Sequence, residues 1–191
     1  MCKRINIFFA CFLAFYVAGS MAAGLVIGTM GIDLPYWGQC LISQAILLIP
    51  AFIYVFINKI NIYKCIPYRK IKPLDAFLSL VFGYTLIPVV LFINVLTQFI
   101  STNYMNDAVS DLTSYPFIIQ IILLAVIPPV VEEFIFRGLI YHSYRKNGIC
   151  GAALLSGLLF GVTHLNINQL CYAFVIGVMF AFLVEVTGSM W

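Results

Sequence analysis

Pro128-Pro129-Val130-Val131-Glu132-Glu133-Phe134-Ile135-Phe136-Arg137-Gly138 places two adjacent carboxylates and an arginine inside an otherwise apolar run extending from about residue 116 to about 144. An ionisable side chain at bilayer depth costs about 2.5–3.5 kcal/mol on insertion scales. A chain that keeps three of them together uses them or pairs them. The remaining sequence is read as scaffold, partner or orientation signal for this stretch.

Composition fixes the solvent. Of 191 residues, 63% are hydrophobic and 9% charged, against about 25% charged in a soluble domain. A chain this small has too much surface for its volume to hide that proportion of apolar side chain. The apolar runs are continuous rather than alternating, which excludes a membrane β-barrel. The fold class is therefore all-α, a polytopic transmembrane helical bundle of about six spans. The net charge of +3 comes from few basic residues lying between apolar runs; these report topology rather than a nucleic-acid partner. Cys2, Cys11, Cys40, Cys65, Cys150 and Cys171 show no CxxC pairing and read as small buried hydrophobes rather than disulfides or a metal cluster.

Lys3-Arg4 before an apolar stretch, with small residues from Ser20 to Ala23, resembles a signal peptide. The apolar character continues to Ile32, so the reading is a first transmembrane helix. The six runs are about 5–31, 37–57, 74–100, 116–144, 149–165 and 169–186. Gly19, Gly24 and Gly28 line one side of the first, either as a close-packing face or simply because Gly is common in such helices. Pro88 predicts a kink in the third. Lys3-Arg4, the linker 58–73 and Arg145-Lys146 carry the basic residues, whereas 32–36, 101–115 (with Asp107 and Asp111) and 166–168 carry no Lys or Arg. The alternation predicts a multi-pass protein of the cell membrane with a cytoplasmic N-terminus. Residues 1–115 form three N-terminal spans, and 116–191 carry the chemistry.

Glu133 and Arg137 are four apart and share a helical face. Glu132 lies about 100° round from Glu133. Pro128 and Pro129 remove two backbone hydrogen bonds, predicting a kink that frees carbonyls near the carboxylates. Glu132 is a candidate general base; the alternative is an intrahelical Glu133–Arg137 pair, with Glu132 facing a polar cavity. His164 ends a span with no other ionisable group. It lies roughly 24 Å from the turn at Gly148, and Glu132 roughly 18 Å back from Tyr144, counting 1.5 Å per residue. Those depths agree within about a turn in antiparallel neighbours, making His164 a candidate site partner. His142 falls on the opposite face, near the basic turn, and is left outside the site.

Glu132-Glu133-x-x-Phe136-Arg137 resembles the EExxxR motif of the CAAX-protease and bacteriocin-processing family (CPBP, or Abi). Phe160-x-x-x-His164 resembles its FxxxH motif. Phe174-x-x-Gly177 and Thr187-Gly188-Ser189-Met190-Trp191 resemble the segment that follows. The resemblance covers about residues 116–191 and implies an intramembrane endopeptidase acting on a membrane-embedded or lipidated peptide. It implies that Glu132 activates water, that His164 holds the water or a metal, and that Glu133 and Arg137 support them. It also implies Glu132 and His164 as ligands if a divalent metal, zinc first, is used; a metal-independent glutamate mechanism is the other form. The family pattern continues past TGSxW into a helix with HxxxN, and the sequence ends at Trp191. The expectation is an incomplete core with weak or no peptidase activity in these 191 residues. His164-x-x-x-Asn168 matches HxxxN in spelling, but Asn168 reads as part of a turn and takes no role. Two other readings stay open: a non-catalytic bacteriocin self-immunity protein on the same scaffold, and a small transporter relaying protons through the carboxylates. CAAX cleavage, bacteriocin leader removal and anti-sigma-factor cleavage all fit the resemblance.

Overall fold

A computed structural model describes residues 2–66, 69–101 and 112–190, with backbone only at residues 2–4, 64 and 65; Asp107, Asp111 and Trp191 lie outside the described residues. Lipid offers backbone N–H and C=O groups no partner, so apolar runs satisfy them internally as helices. These are α1 (Cys2–Met30), α2 (Tyr36–Ile57), the one-turn α3 (Ile62–Cys65), α4 (Pro73–Gln98), α5 (Phe117–Asn147), α6 (Ile149–Val162) and α7 (Ile167–Thr187). Among the described residues five helices, α1, α2, α4, α5 and α7, are long and apolar enough to cross a membrane, and α6 is a shorter apolar helix of 14 residues. All six predicted runs are present, with no end displaced by more than three residues.

The helix ends follow from local chemistry. Pro35 and Pro116 precede α2 and α5, and Pro73 opens α4, where the missing N–H costs nothing. Gly188 closes α7 at φ 69°, donating its N–H to Val184 O at 2.9 Å, the left-handed cap that glycine adopts freely. Asn166 caps the start of α7 by accepting the N–H of Asn168 at 2.9 Å. That cap moves the helix start to Ile167, so Asn168 belongs to the first turn of α7 and not to the preceding turn. Pro88 lies inside α4 without ending it.

The chain forms two compact units, residues 1–60 with 104–135 and residues 61–103 with 136–191. In the first, α1 packs on α2. Ile5 and Phe12 are fully buried, and Phe8 stacks on Tyr54 with ring centroids 4.2 Å apart. A Cβ on Gly19 would lie 3.1 Å from Ile46, but Gly24 and Gly28 would meet nothing within 4 Å. Only one glycine of the α1 face is therefore at a contact. Phe52 and Phe134, 5.7 Å between centroids, bring α2 onto α5.

The second unit is built on the α6–α7 hairpin. A Cβ on Gly157 would lie 2.8 Å from Val178 N and 2.9 Å from Phe174 O; one on Gly161 would lie 2.7 Å from Leu170 O; one on Gly177 would lie 2.8 Å from Gly157 Cα. Gly157 and Gly161 form a small-xxx-small face at i, i+4, which lets two backbones meet. Helix α4 joins through Asn168, fully buried, whose Nδ2 donates to Asn94 O at 3.1 Å and Thr97 Oγ1 at 2.8 Å. The described thiols of Cys11, Cys40, Cys150 and Cys171 are free. Cys11 and Cys150 are exposed rather than buried, a position open to a small hydrophobe where the helix surface meets lipid.

Candidate active site

Glu132 and Glu133 are half-buried and belong to the first unit. Upstream of them α5 runs as a π-helical turn over Ile122–Val126, with the N–H of Ile127 donating to Ile122 O. This is how the helix absorbs Pro128 and Pro129. The carbonyl of Leu123 loses both usual intrahelical donors, because Ile127 serves Ile122 and Pro128 has no N–H. It accepts instead from Cys40 Sγ of α2 at 3.5 Å. A carbonyl freed by the prolines is thus present, about two and a half turns before the carboxylates rather than beside them.

Glu132 lines a cavity of about 500 Å³ in this unit. Leu123, Leu124, Pro128 and Pro129 join it on the α5 side. The opposite wall is α2, with Tyr36, Gln39, Cys40, Ser43 and Gln44. Those positions follow i, i+3, i+4, i+7, i+8, one stripe of a helix. The cavity is polar on the α2 side and holds a carboxylate, within helices whose other faces are apolar.

Arg137 and His164 belong to the second unit. Arg137 is 1% exposed. Its guanidinium lies 4.9 Å from the centroid of Phe160 and 5.6 Å from that of Phe180, and Nη2 donates to Gly177 O at 3.2 Å. The cation thus rests on two aromatic faces and reaches the glycine where α6 and α7 cross. Phe160 also meets Phe136 at 5.1 Å, 68° between planes, and Ser156 Oγ donates to Phe136 O at 2.9 Å.

His164 is half-buried, just past the end of α6. Its ring stands edge-on to Phe160, 4.9 Å between centroids at 90°, and its Nδ1 lies 2.9 Å from Phe160 O. A carbonyl only accepts, so Nδ1 carries the proton and Nε2 presents a lone pair. The FxxxH spacing acquires a physical meaning here: the residue four before the histidine supplies both the ring it packs on and the carbonyl that fixes its tautomer. The pairing of Glu133 with Arg137 rests on their spacing alone.

Residues 114–191 match the model of a family described as Type II CAAX prenyl endopeptidase Rce1-like. This segment is Rce1-like. Over 74 residues the chain is 34% identical to the Bacillus subtilis (strain 168) protein named "Putative membrane peptidase YdiL", a match covering 38% of this chain and 30% of that protein's length. No solved structure gives a significant match. The likeness to a membrane peptidase family is confined to this C-terminal segment. The Rce1-like segment contains all four residues singled out in the sequence, Glu132, Glu133, Arg137 and His164, and also Gly177, which the guanidinium touches. It does not contain α2, the other wall of the Glu132 cavity.

Two features outside the sequence reading adjoin the Rce1-like motifs. Glu185, in the last turn of α7, accepts from Arg145 Nε and Nη2 at 2.6 Å each and from Tyr141 at 2.8 Å. An ionisable residue inside the sixth apolar run was the available signal. The α2 stripe is the other, legible only by counting uncharged polar residues at helical spacing. As for a metal, no three His, Cys, Asp or Glu side chains gather to hold one among the described residues. A catalytic zinc takes three protein ligands plus water. The described donors do not fit that set.

Proposed function

We propose that this protein is an intramembrane endopeptidase of CPBP type, in which Glu132 activates water for attack on a peptide bond of a membrane-embedded or lipidated substrate. Glu132 takes a proton from water as the oxygen adds to the scissile carbonyl; it returns the proton to the departing amine as the C–N bond breaks. His164, with its proton held on Nδ1, offers Nε2 to the water. Glu133 and Arg137 support the carboxylate and the packing of α5. The observation that carries the reading is the carboxylate of an Rce1-like segment lining a cavity inside apolar helices. A proton relay for transport has no comparable support, because the motifs match a peptidase family. The match spans 30% of the relative's length, so the activity of the whole protein is itself part of the proposal.

The test compares purified wild type, Glu132→Gln and His164→Ala on a quenched-fluorescence peptide anchored in liposomes. Losing a positioned general base costs about 10²–10⁴-fold, and each variant is expected to fall by at least about 10²-fold with its fold intact. Equal cleavage by all three would remove Glu132 and His164 from the mechanism. Metal analysis of the same preparations, with cleavage measured before and after chelation, separates a ligand role for His164 from a water-holding one.

A further inference from the structure

The polar stripe of α2 is expensive for a membrane helix, and most of it is already spoken for. Gln39 Nε2 donates to Leu34 O at 2.9 Å, Ser43 Oγ to Cys40 O at 2.8 Å, and Cys40 Sγ to Leu123 O at 3.5 Å. Gln44 differs. It is 9% exposed, lines the same cavity as Glu132, and its Oε1 is buried with no hydrogen-bond partner among the described residues. A buried acceptor without a donor loses its hydration and gains nothing in return. A leucine would fit an apolar helix better. The amide is placed for something that enters the cavity.

We propose that Gln44 is a substrate-binding residue, whose carboxamide pairs with the main chain of an extended peptide lying between α2 and Glu132. A primary amide carries an acceptor and two donors, the complement of a peptide unit's N–H and C=O. A peptide entering an apolar helix bundle must have its backbone groups satisfied there. The opposite wall contributes an acceptor: Leu124 lines the cavity, and the residues four and five after it, Pro128 and Pro129, have no N–H to donate to its carbonyl. One wall thus pairs the chain being cut, and the other holds the general base. Gln44 lies outside the segment that matches the peptidase family, so recognition falls to the N-terminal half. The inference rests on the proposed peptidase reading, but binding can be measured apart from cleavage.

The probe is a quenched-fluorescence peptide ending in an S-farnesylated CAAX sequence, offered to the full chain in liposomes. Four proteins are compared: wild type, Gln44→Leu, Gln44→Glu and Leu41→Ala. Leu41 is 42% exposed on α2 and serves as the control. Cleavage gives KM and kcat. Binding is read in a Glu132→Gln background as protection of Cys40, which lines the cavity, from a small water-soluble methanethiosulfonate, the other cysteines being replaced by alanine. Gln44→Leu is expected to raise KM about tenfold, the effect of one lost hydrogen bond of about 1.4 kcal/mol, with kcat within about twofold. It should abolish protection of Cys40 while thermal stability holds or rises. Gln44→Glu, which keeps a carbonyl acceptor, should recover part of the binding. A purely structural glutamine would lower stability and leave KM alone. Unchanged KM and protection in Gln44→Leu overturn the proposal while Glu132→Gln inactivity preserves the peptidase reading. Glu132→Gln cleaving like wild type overturns that reading's base, and protection still decides Gln44. No protection of Cys40 in any protein overturns the Gln44 proposal.

Discussion

Arg137 is a charged side chain more deeply buried than most leucines of this protein, and its surroundings explain how it is tolerated. Two aromatic faces and a backbone carbonyl take the place of water around the guanidinium. A planar cation stacks on rings where an ammonium does not. Arg137→Lys is expected to lower stability by about 1–3 kcal/mol, read as a fall in the thermal unfolding midpoint in detergent; an unchanged midpoint would deny the stacking a structural role. At this scale the sequence was readable where charge breaks an apolar run. Glu132, Glu133 and Arg137 stand out for that reason, and His164 as a lone imidazole. Gln44 was not readable, because an uncharged amide acquires meaning only when its neighbours are seen to be satisfied and it is not. Phe160 was visible as a motif letter, but not as the residue that holds both Arg137 and His164.

Helix α6 carries its information in what it lacks. Gly157 and Gly161 present no side chain to α7, and a methyl at Gly157 would collide with backbone atoms of Phe174 and Val178. Backbone cannot yield as a flexible side chain does, so Gly157→Ala is expected to destabilise by about 1–3 kcal/mol. Gly151→Ala, on the same helix with nothing within 4 Å, should be neutral or stabilising by up to about 1 kcal/mol. Equal unfolding midpoints for the two variants would contradict close packing of the hairpin. The glycines of α1 drew the sequence reading because three occur in one run, yet two of them meet nothing. Spacing identifies a face that could pack closely, but the partner's surface decides whether it does. The π-helical turn at Ile122–Val126, the first of two in α5 (the second is Phe134–Tyr141), was legible only in part: the prolines announce lost hydrogen bonds, while the form of the adjustment depends on what α2 presents to the freed carbonyl. The start of α7 was misread because Asn166 and Asn168 can both cap, and the earlier one takes the role.

The number and order of apolar helices was legible throughout, because lipid imposes one rule on every apolar run; five of the six are long enough to cross. Orientation follows from a different rule and is a prediction: the N-terminus and the 58–73 linker are cytoplasmic. In a cysteine-free background, Lys59→Cys should react with a membrane-impermeant thiol reagent in inside-out vesicles, and Asp33→Cys only in right-side-out ones. The reverse pattern would invert the topology. The cavity was not legible from sequence, since its two walls come from segments some 80 residues apart and only one carries recognisable motifs. The length of α6 has a consequence for the bilayer itself. Fourteen residues rise about 21 Å, against a hydrocarbon layer of about 30 Å. A mismatch of this size is met by local thinning of the bilayer, by snorkelling of flanking residues or by association with another helix. Where the bilayer thins, headgroups and water come closer to the ends of α6, and His164 stands two residues past one of those ends.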